Sequence, residues 1–259
     1  MVSFHKRPRS SPDEWDKTII AFAPYTLKNL MLTPTQGQEP VQPESIEEQN
    51  FKIRLAHSHD RVNSASLLIQ HMYMKRGYDV AGIQKVADKI TLMVSQNEAV
   101  VGTLTLGIDS GQGLEADKNY HQEVEQLRSD GRKIFELTKF AVDEMRGSKR
   151  VLAGLFHVAY IYGTHLHKRS DAVIEVTPKH AVFYKRLLGF KQFGEARMNS
   201  RVNTVGVALR LDMKYMGEQI AIWGGESETP AGQKERSLYP YFFSKEDEAG
   251  ITRRLLGGS

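Results

Sequence analysis

Between residues 51 and 213 the apolar positions keep changing period, and each change marks an element. FKIRLA at 51–56 alternates and reads as a short strand. Val62, Ala65, Leu68, Ile69 and Met72 then recur at helical spacing behind Ser58 or Asp60 as N-cap, with the end expected near Gly77. ITLMVS at 90–95 and VVGTLTLGI at 100–108, joined by QNEA, read as a hairpin. DKNYHQEVEQLRSDG is polar enough to predict a surface helix, and KIFELTKFAV at 133–142 returns to a strand. VLAGLFHVAYIYGTHL predicts a long, mostly apolar helix, AVIEV at 172–176 a strand, and HAVFYKRLL a short helix closed by Gly189. FKQFGEA and TVGVALRLD complete the pattern as two strands. Helices follow single strands twice while the other strands connect as neighbours. The fold class expected is α+β, one mixed, mostly antiparallel sheet with helices on both faces.

Both flanks read differently. Six of the nine prolines lie before residue 50, and TPTQGQEPVQPESIEEQ has almost nothing to bury, so residues 1–50 are expected to form a Pro-rich, partly disordered leader. Within it TIIAFAPYTLKNLML, residues 18–32, is apolar enough to dock on the domain or a partner, though Pro24 opposes one continuous helix. The compact domain is placed at 51–213. Residues 214–259 are expected to be a tail carrying one short helix in SKEDEAGITRRLL.

Composition narrows the chemistry. The chain of 259 residues has no cysteine, which excludes disulfide scaffolds, thiol nucleophiles, iron-sulfur clusters and cysteine-based zinc sites. No run approaches 18 apolar residues, and the first residues do not form a signal core, so a soluble, cytoplasmic protein without an integral membrane segment is expected. A net charge of +4 is mild, but Arg146 to Lys214 holds 13 Lys and Arg against 4 Asp and Glu. That half can present a basic surface to an acidic protein or a phosphate, or be an ordinary solvated face. Aromatic residues do not interleave with the basic ones, so nucleic acid is not an expected partner.

Glu136 and Lys139 are charges inside an otherwise apolar strand. A carboxylate shielded from water has its pKa raised toward the range useful for accepting an ammonium proton; the competing reading is a structural salt bridge. RGSKR (Arg146, Gly147, Ser148, Lys149, Arg150) precedes a helix, where free backbone amides and full charges together suit an anion. Arg128 and Arg132 in LRSDGR are candidate cations for an acceptor carboxylate, and Asp109 or Asp117 for a substrate amine, against the plainer reading of surface charges. His157, His165 and His167 lack an HExxH pattern or a nearby matched carboxylate, and i, i+8 is too far for one chelated ion, so no metal is expected. Tyr160 and Tyr162 read as packing or pocket wall.

Taken together, VVGTLTL, KIFELTKFAV followed by RG, and DAVIEVTPKHAVFYKRLLGFKQFG resemble the GNAT superfamily of N-acyltransferases, over about residues 51–212. GTLTLGIDSGQGLEADKNY, LRSDGRKIFELTKFAV and VTPKHAVFYKRLLGF bring the chain nearest to the N-acyl amino acid synthases, relatives of the acyl-homoserine-lactone synthases. FELTKFAV is similar to the lactone synthases' Trp-Glu-Leu-Ser-Arg-Phe-Ala segment, with Glu136 at its acid and Lys139 at its arginine. The resemblance implies a GNAT-like acyltransferase fold with a splayed strand. It also implies transfer of a long-chain fatty acyl group from the phosphopantetheine thioester of acyl carrier protein to an amino acid's amine, with no tightly bound cofactor. It assigns Glu136 as base with His180 or Tyr184 as further candidates. Backbone amides near Lys139 and Phe140 would serve the oxyanion and pantetheine, and residues 146–150 the donor phosphate. RGSKRVLAG departs from the superfamily's pyrophosphate loop by lacking its second glycine, and Tyr184 stands one residue further from Gly189 than in the common form. Competing expectations are an acetyl-CoA-dependent N-acetyltransferase of a small amine, with acyl-CoA as donor, and a non-catalytic carrier-protein-binding module. Lys168, Arg169, Lys185 and Arg186 would widen a carrier-protein face.

Overall fold

A computed structural model of the chain describes residues 18–22, 51–78, 82–83, 88–144, 147–200 and 202–257. The strands β1 (Ile20–Phe22), β2 (Phe51–Leu55), β3 (Lys89–Gln96), β4 (Ala99–Ile108), β5 (Ile134–Val142), β6 (Asp171–Val176), β7 (Lys191–Asn199) and β8 (Thr204–Asp212) form one sheet. Its order is β1-β2-β3-β4-β5-β6-β8-β7, and every pair is antiparallel except β5 with β6. The β3–β4 hairpin turns at Asn97 and Glu98, with φ of 48° and 59°, the mirror-image turn that matches strand twist.

Helices cover both faces. α1 (His59–Met74) packs on β4 and β5, setting Ile69 and Met72 against Ala141. α2 (Asp117–Ser129) buries Tyr120, Val124 and Leu127 against Ile134, Val173 and Ala208 on the same face. α2 is therefore amphipathic. α3 (Lys149–Tyr160) and α4 (Pro178–Leu188) take the other face, with Phe135, Leu137, Ala172 and Ile174 beneath them. Strand alternation thus turns Ile134 and Glu136 toward α2 while Phe135 and Leu137 turn toward α3. The ends of α4 follow from its sequence: Thr177 Oγ1 accepts the His180 N–H, Pro178 occupies the first turn, and Gly189 closes it at φ 81°.

α3 runs on into a π-helical turn, Ile161–Leu166. Tyr160 and Tyr162 are buried here, and burial pushes both hydroxyls up to about 12.

The flanks differ from the expectation. Within the presumed leader, Ile20–Phe22 pairs with β2, placing Ile20 opposite Ile53, and Ile19 joins the core. The rest of the presumed docking segment, residues 23–32, lies outside the described residues. Residues beyond 213, read as a tail, form α5 (Met213–Trp223), α6 (Pro230–Lys234), a 3-10 turn (Tyr239–Tyr241) and α7 (Lys245–Leu255). Met216, Ile220, Leu238, Tyr239, Phe242 and Ile251 are buried in the core under α3 and α4. The Tyr239 hydroxyl donates to Leu188 O at 2.6 Å, and Lys149 Nζ lies 5.0 Å from the Tyr241 ring centre.

His157 and His165 both reach the carboxylate of Glu248, at 3.0 and 2.8 Å. The matched carboxylate absent from the local sequence comes from α7. His157 Nδ1 accepts the Phe243 N–H at 3.0 Å, which leaves Nε2 as the proton-bearing nitrogen facing Glu248. Burial holds the His157 pKa down. Burial also opposes the Glu248 charge, but hydrogen bonds with His157 and His165 outweigh it and hold that carboxyl at about 2.

Candidate active site

The site exists because β5 and β6 part. Their ladder runs Ile134–Asp171, Phe135–Ala172 and Glu136–Val173, and it stops there. On its other edge β5 slips register against β4 between Thr103 and Thr105. In that irregular stretch Lys139 adopts φ 49°, a left-handed conformation uncommon for a lysine, and Thr103 Oγ1 donates to its carbonyl at 3.0 Å. A bulge bends its strand, and here it lies where β5 leaves β6.

A cavity of about 350 Å³ opens between the parted strands, a size usual for small-molecule sites. It passes from one face of the sheet to the other. Toward α3 and α4 it is walled by Phe140, Leu152, Phe156, Phe183 and Tyr184. Phe140, Phe156, Phe183 and Phe190 surround the Tyr184 ring, with centroids 5.1–6.5 Å away. Toward α1 and α2 the walls turn polar, with Glu115, Glu136, Glu175 and Arg76, and His180 joins the lining from the first turn of α4.

Glu136 is only 2% exposed. Its Oε2 accepts the Ala116 N–H at 3.1 Å, and burial raises its pKa to about 7, against the smaller opposing pull of that hydrogen bond and of Lys89. Gly107 makes room for it: a Cβ there would lie 2.9 Å from Glu136 Oε1. The Lys139 ammonium donates to Gly82 O at 2.6 Å, and burial lowers its pKa. The salt bridge that the sequence left open between these two is absent. His180 Nδ1 lies 3.0 Å from Thr177 Oγ1, and burial, aided by Arg76 and Lys179, lowers its pKa. Burial pushes the Tyr184 hydroxyl well above its ordinary range, so it is protonated at neutral pH.

Of the residues singled out in the sequence, Glu136, Lys139, Phe140, His180 and Tyr184 meet in this cavity. Gly147, Ser148, Lys149 and Arg150 begin α3 outside its lining; Ser148 caps the helix by accepting the Val151 N–H, and Arg146 lies outside the described residues. Arg128, Arg132 and Asp109 are elsewhere and engaged. Arg128 donates to Asp109 at 2.8 Å and to Asp117 at 2.7 Å, and these carboxylates raise its pKa. Arg132 binds the fully buried Asp171 and reaches Asp212 at 2.6 Å. Together they pin α2 and the start of β5 to their neighbours, which accounts for charges that a sequence presents as available. Arg76, Glu115 and Glu175 entered the cavity without having been singled out. For Glu175 the signal was present: it is a carboxylate in an apolar strand, as Glu136 is.

Among the described residues no group of three or more His, Asp or Glu is placed to hold a metal ion, and no helix is long and apolar enough to cross a membrane.

Residues 64–212 match the family described as N-acyl amino acid synthase FeeM. The solved structure of FeeM, an N-acyl amino acid synthase from uncultured soil microbes, is 25% identical, with a TM-score of 0.60 over 66% of this chain and 95% of that one. More distant likenesses include the acyl-homoserine-lactone synthase LasI, at 16% identity and TM-score 0.46 over 64% of this chain and 91% of that one. An acyl-CoA N-acyltransferase from Pseudomonas aeruginosa aligns at 14% identity and TM-score 0.45 over 62% of this chain and 98% of that one. No curated protein sequence matches at a significant level.

Proposed function

The chain belongs to the N-acyl amino acid synthase FeeM family and is an N-acyltransferase; from that premise we propose that it moves a long-chain fatty acyl group from acyl carrier protein to the amine of a free amino acid. One observation carries this reading: a single cavity crosses the sheet, apolar toward α3 and α4 and bearing the buried Glu136 on the opposite face. An acyl thioester enters from the apolar side, and the amine meets it from the polar side.

The groups divide the work as follows. Glu136 takes a proton from the acceptor's ammonium, and the freed amine attacks the thioester carbonyl, forming the C–N bond. Backbone N–H groups of the bulge at Lys139 and Phe140 are our assignment for the oxyanion donors. Collapse breaks the C–S bond. Tyr184 protonates the leaving thiolate and recovers a proton from the nitrogen, so the products are an amide and a free thiol, with one proton left on Glu136 for solvent. His180 is the second candidate for base. Arg128 and Arg132 are committed to Asp partners, so Arg76, on the cavity wall and only loosely paired with exposed Glu144 at 3.8 Å, is our choice for the acceptor carboxylate.

A long chain is favoured because each buried methylene contributes about 0.8 kcal/mol. The carrier-protein donor rests on the start of α3, where RGSKR supplies charge without a second glycine to wrap a pyrophosphate. Mass spectrometry of lipid extracts from cells expressing the protein tests the class: new masses equal to an amino acid plus a fatty acyl group are expected. Faster transfer of acetyl from acetyl-CoA than of a C14 or C16 group from acyl carrier protein would overturn the donor assignment.

A further inference from the structure

Glu175 is a charge with a built support and, among the described residues, no ion-pair partner. It stands on β6 between the buried Ile174 and the half-buried Val176, and is itself half-buried. Asn119 of α2 donates to its Oε1 at 2.8 Å. β8 leaves space for it, since a Cβ on Gly206 would fall 2.5 Å from that same oxygen. Two elements therefore fix the carboxylate, yet among the described residues it makes no ion pair with Lys, Arg or His. Other acids near it are compensated: Glu115 pairs with Lys89, while Asp109 and Asp117 share Arg128.

Its direction follows from register. Glu136 lies opposite Val173, so Glu175, two residues on, leaves the adjacent strand on the same face, about 7 Å further along the strand direction. Both line the cavity. That places a fixed carboxylate, without an ion-pair partner among the described residues, beside the assigned base, on the side where the acceptor enters.

We infer that Glu175, aimed by Asn119, receives the ammonium of the acceptor amino acid and holds it beside Glu136. The inference rests on the acyltransfer reading above and adds to it a binding residue and a substrate class. Because Glu136 and Glu175 share that side, an acceptor with a second carboxylate meets like charge. Acceptors with neutral or basic side chains are the class the site takes, and L-aspartate and L-glutamate should be the poorest.

The test is steady-state kinetics with C14-acyl carrier protein and a panel of L-amino acids, comparing wild type with Glu175→Gln. The expected result is an acceptor KM raised at least tenfold on the best amino acid, with kcat within threefold and donor KM unchanged. The penalty on L-aspartate relative to that amino acid should shrink in the variant. An unchanged acceptor KM, or equal losses in kcat and donor KM, overturns the inference. Should the Gln variant not fold, Asn119→Ala keeps the charge and removes its support; a severalfold rise in acceptor KM is expected, and no rise overturns the inference. Wild-type protein that acylates no amino acid would instead bring down the underlying activity assignment, an outcome distinct from an active variant with unaltered KM.

Discussion

Glu136 and Lys139 stand three residues apart on β5 and do not pair: the ammonium donates to Gly82 O, and the carboxyl accepts from Ala116 N–H. Without a cation against it, Glu136 is governed by burial and titrates near 7. In the proposed role of base it works only when ionised, so kcat/KM should fall tenfold per unit as pH drops below about 7. Glu136→Gln should lower kcat by about 10²- to 10⁴-fold and abolish that limb. The stability sign is opposite. Its folded pKa is raised, so its stabilising contribution is present below about 4.5 and lost as pH rises through 7. The Gln variant should therefore melt no lower than wild type at pH 8, and a marked drop there would show a structural role.

Gly107 gives a second handle on the same carboxyl. Gly107→Ala brings a methyl to 2.9 Å from Glu136 Cγ and Oε1, pressing the side chain away from the position in which the Ala116 N–H holds it. Overpacking of this kind costs about 1–3 kcal/mol. A tenfold or larger loss of kcat with donor KM within twofold is expected; unchanged kcat would mean Glu136 need not be held in place.

Leu152 and Phe156 of α3 wall the apolar half of the cavity. Leu152→Trp should shorten it and move the preferred donor from C14 or C16 toward C8 or below, read from product masses in a mixed-donor competition. An unaltered product distribution would place the chain elsewhere.

At the start of α3, reversal of Lys149 and Arg150 to Glu should raise KM for acyl carrier protein, chiefly through association rate. Salt should weaken the wild-type interaction by the same screening. A short pantetheine thioester should suffer less than the whole protein donor. The Lys149 change also removes a cation from the Tyr241 ring, worth about 0.5–1 kcal/mol at an exposed site, so melting temperatures must be compared alongside. Equal losses with both donors would argue for a part in the chemical step.

The His157–Glu248–His165 cluster makes a separate prediction about stability. The buried His157 resists protonation, so stability should fall as pH drops below about 6.5, and the contribution of Glu248 should disappear as pH falls from 4.5 toward 2. His157→Phe leaves the Phe243 N–H and a partly buried carboxylate without this partner, a cost of about 1–3 kcal/mol. Thermal melts at pH 7.5 and 5.5 measure it: the wild-type difference should shrink in the variant.

The elements between residues 51 and 212 were legible because their signals are local. Thr177, Pro178 and Gly189 bound α4 wherever it packs, and Asn97 can turn a hairpin on its own. Glu136, a charge in an apolar strand, and Tyr184, in a motif shared with a known family, could be singled out from short stretches, and both line the cavity. What escaped notice depends on partners distant in sequence. Arg128 and Arg132 read as available cations until Asp171 and Asp212 arrive from β6 and β8. Tyr239 and Phe242 sit in an aperiodic stretch, so only the groove beside α3 shows that they are core residues. Ile20–Phe22 is too short to announce a strand without β2 beside it.

The parting of β5 from β6 also has an energetic side. A sheet normally keeps its unpaired backbone at its rims, where charge, proline or a covering helix guards it. Here a stretch of rim has been moved to the centre, between Leu137–Phe140 and Ile174–Val176, walled by aromatic rings. A donor whose arm carries amide groups could lie in that slot as a substitute strand, hydrogen-bonding to the backbone edges that the β5–β6 ladder leaves apart. The enzyme would then be a sheet completed by its own substrate. Occupancy at 100 times Kd adds about 2.7 kcal/mol to the stability of the fold, coupling the supply of acyl donor to the lifetime of the folded chain.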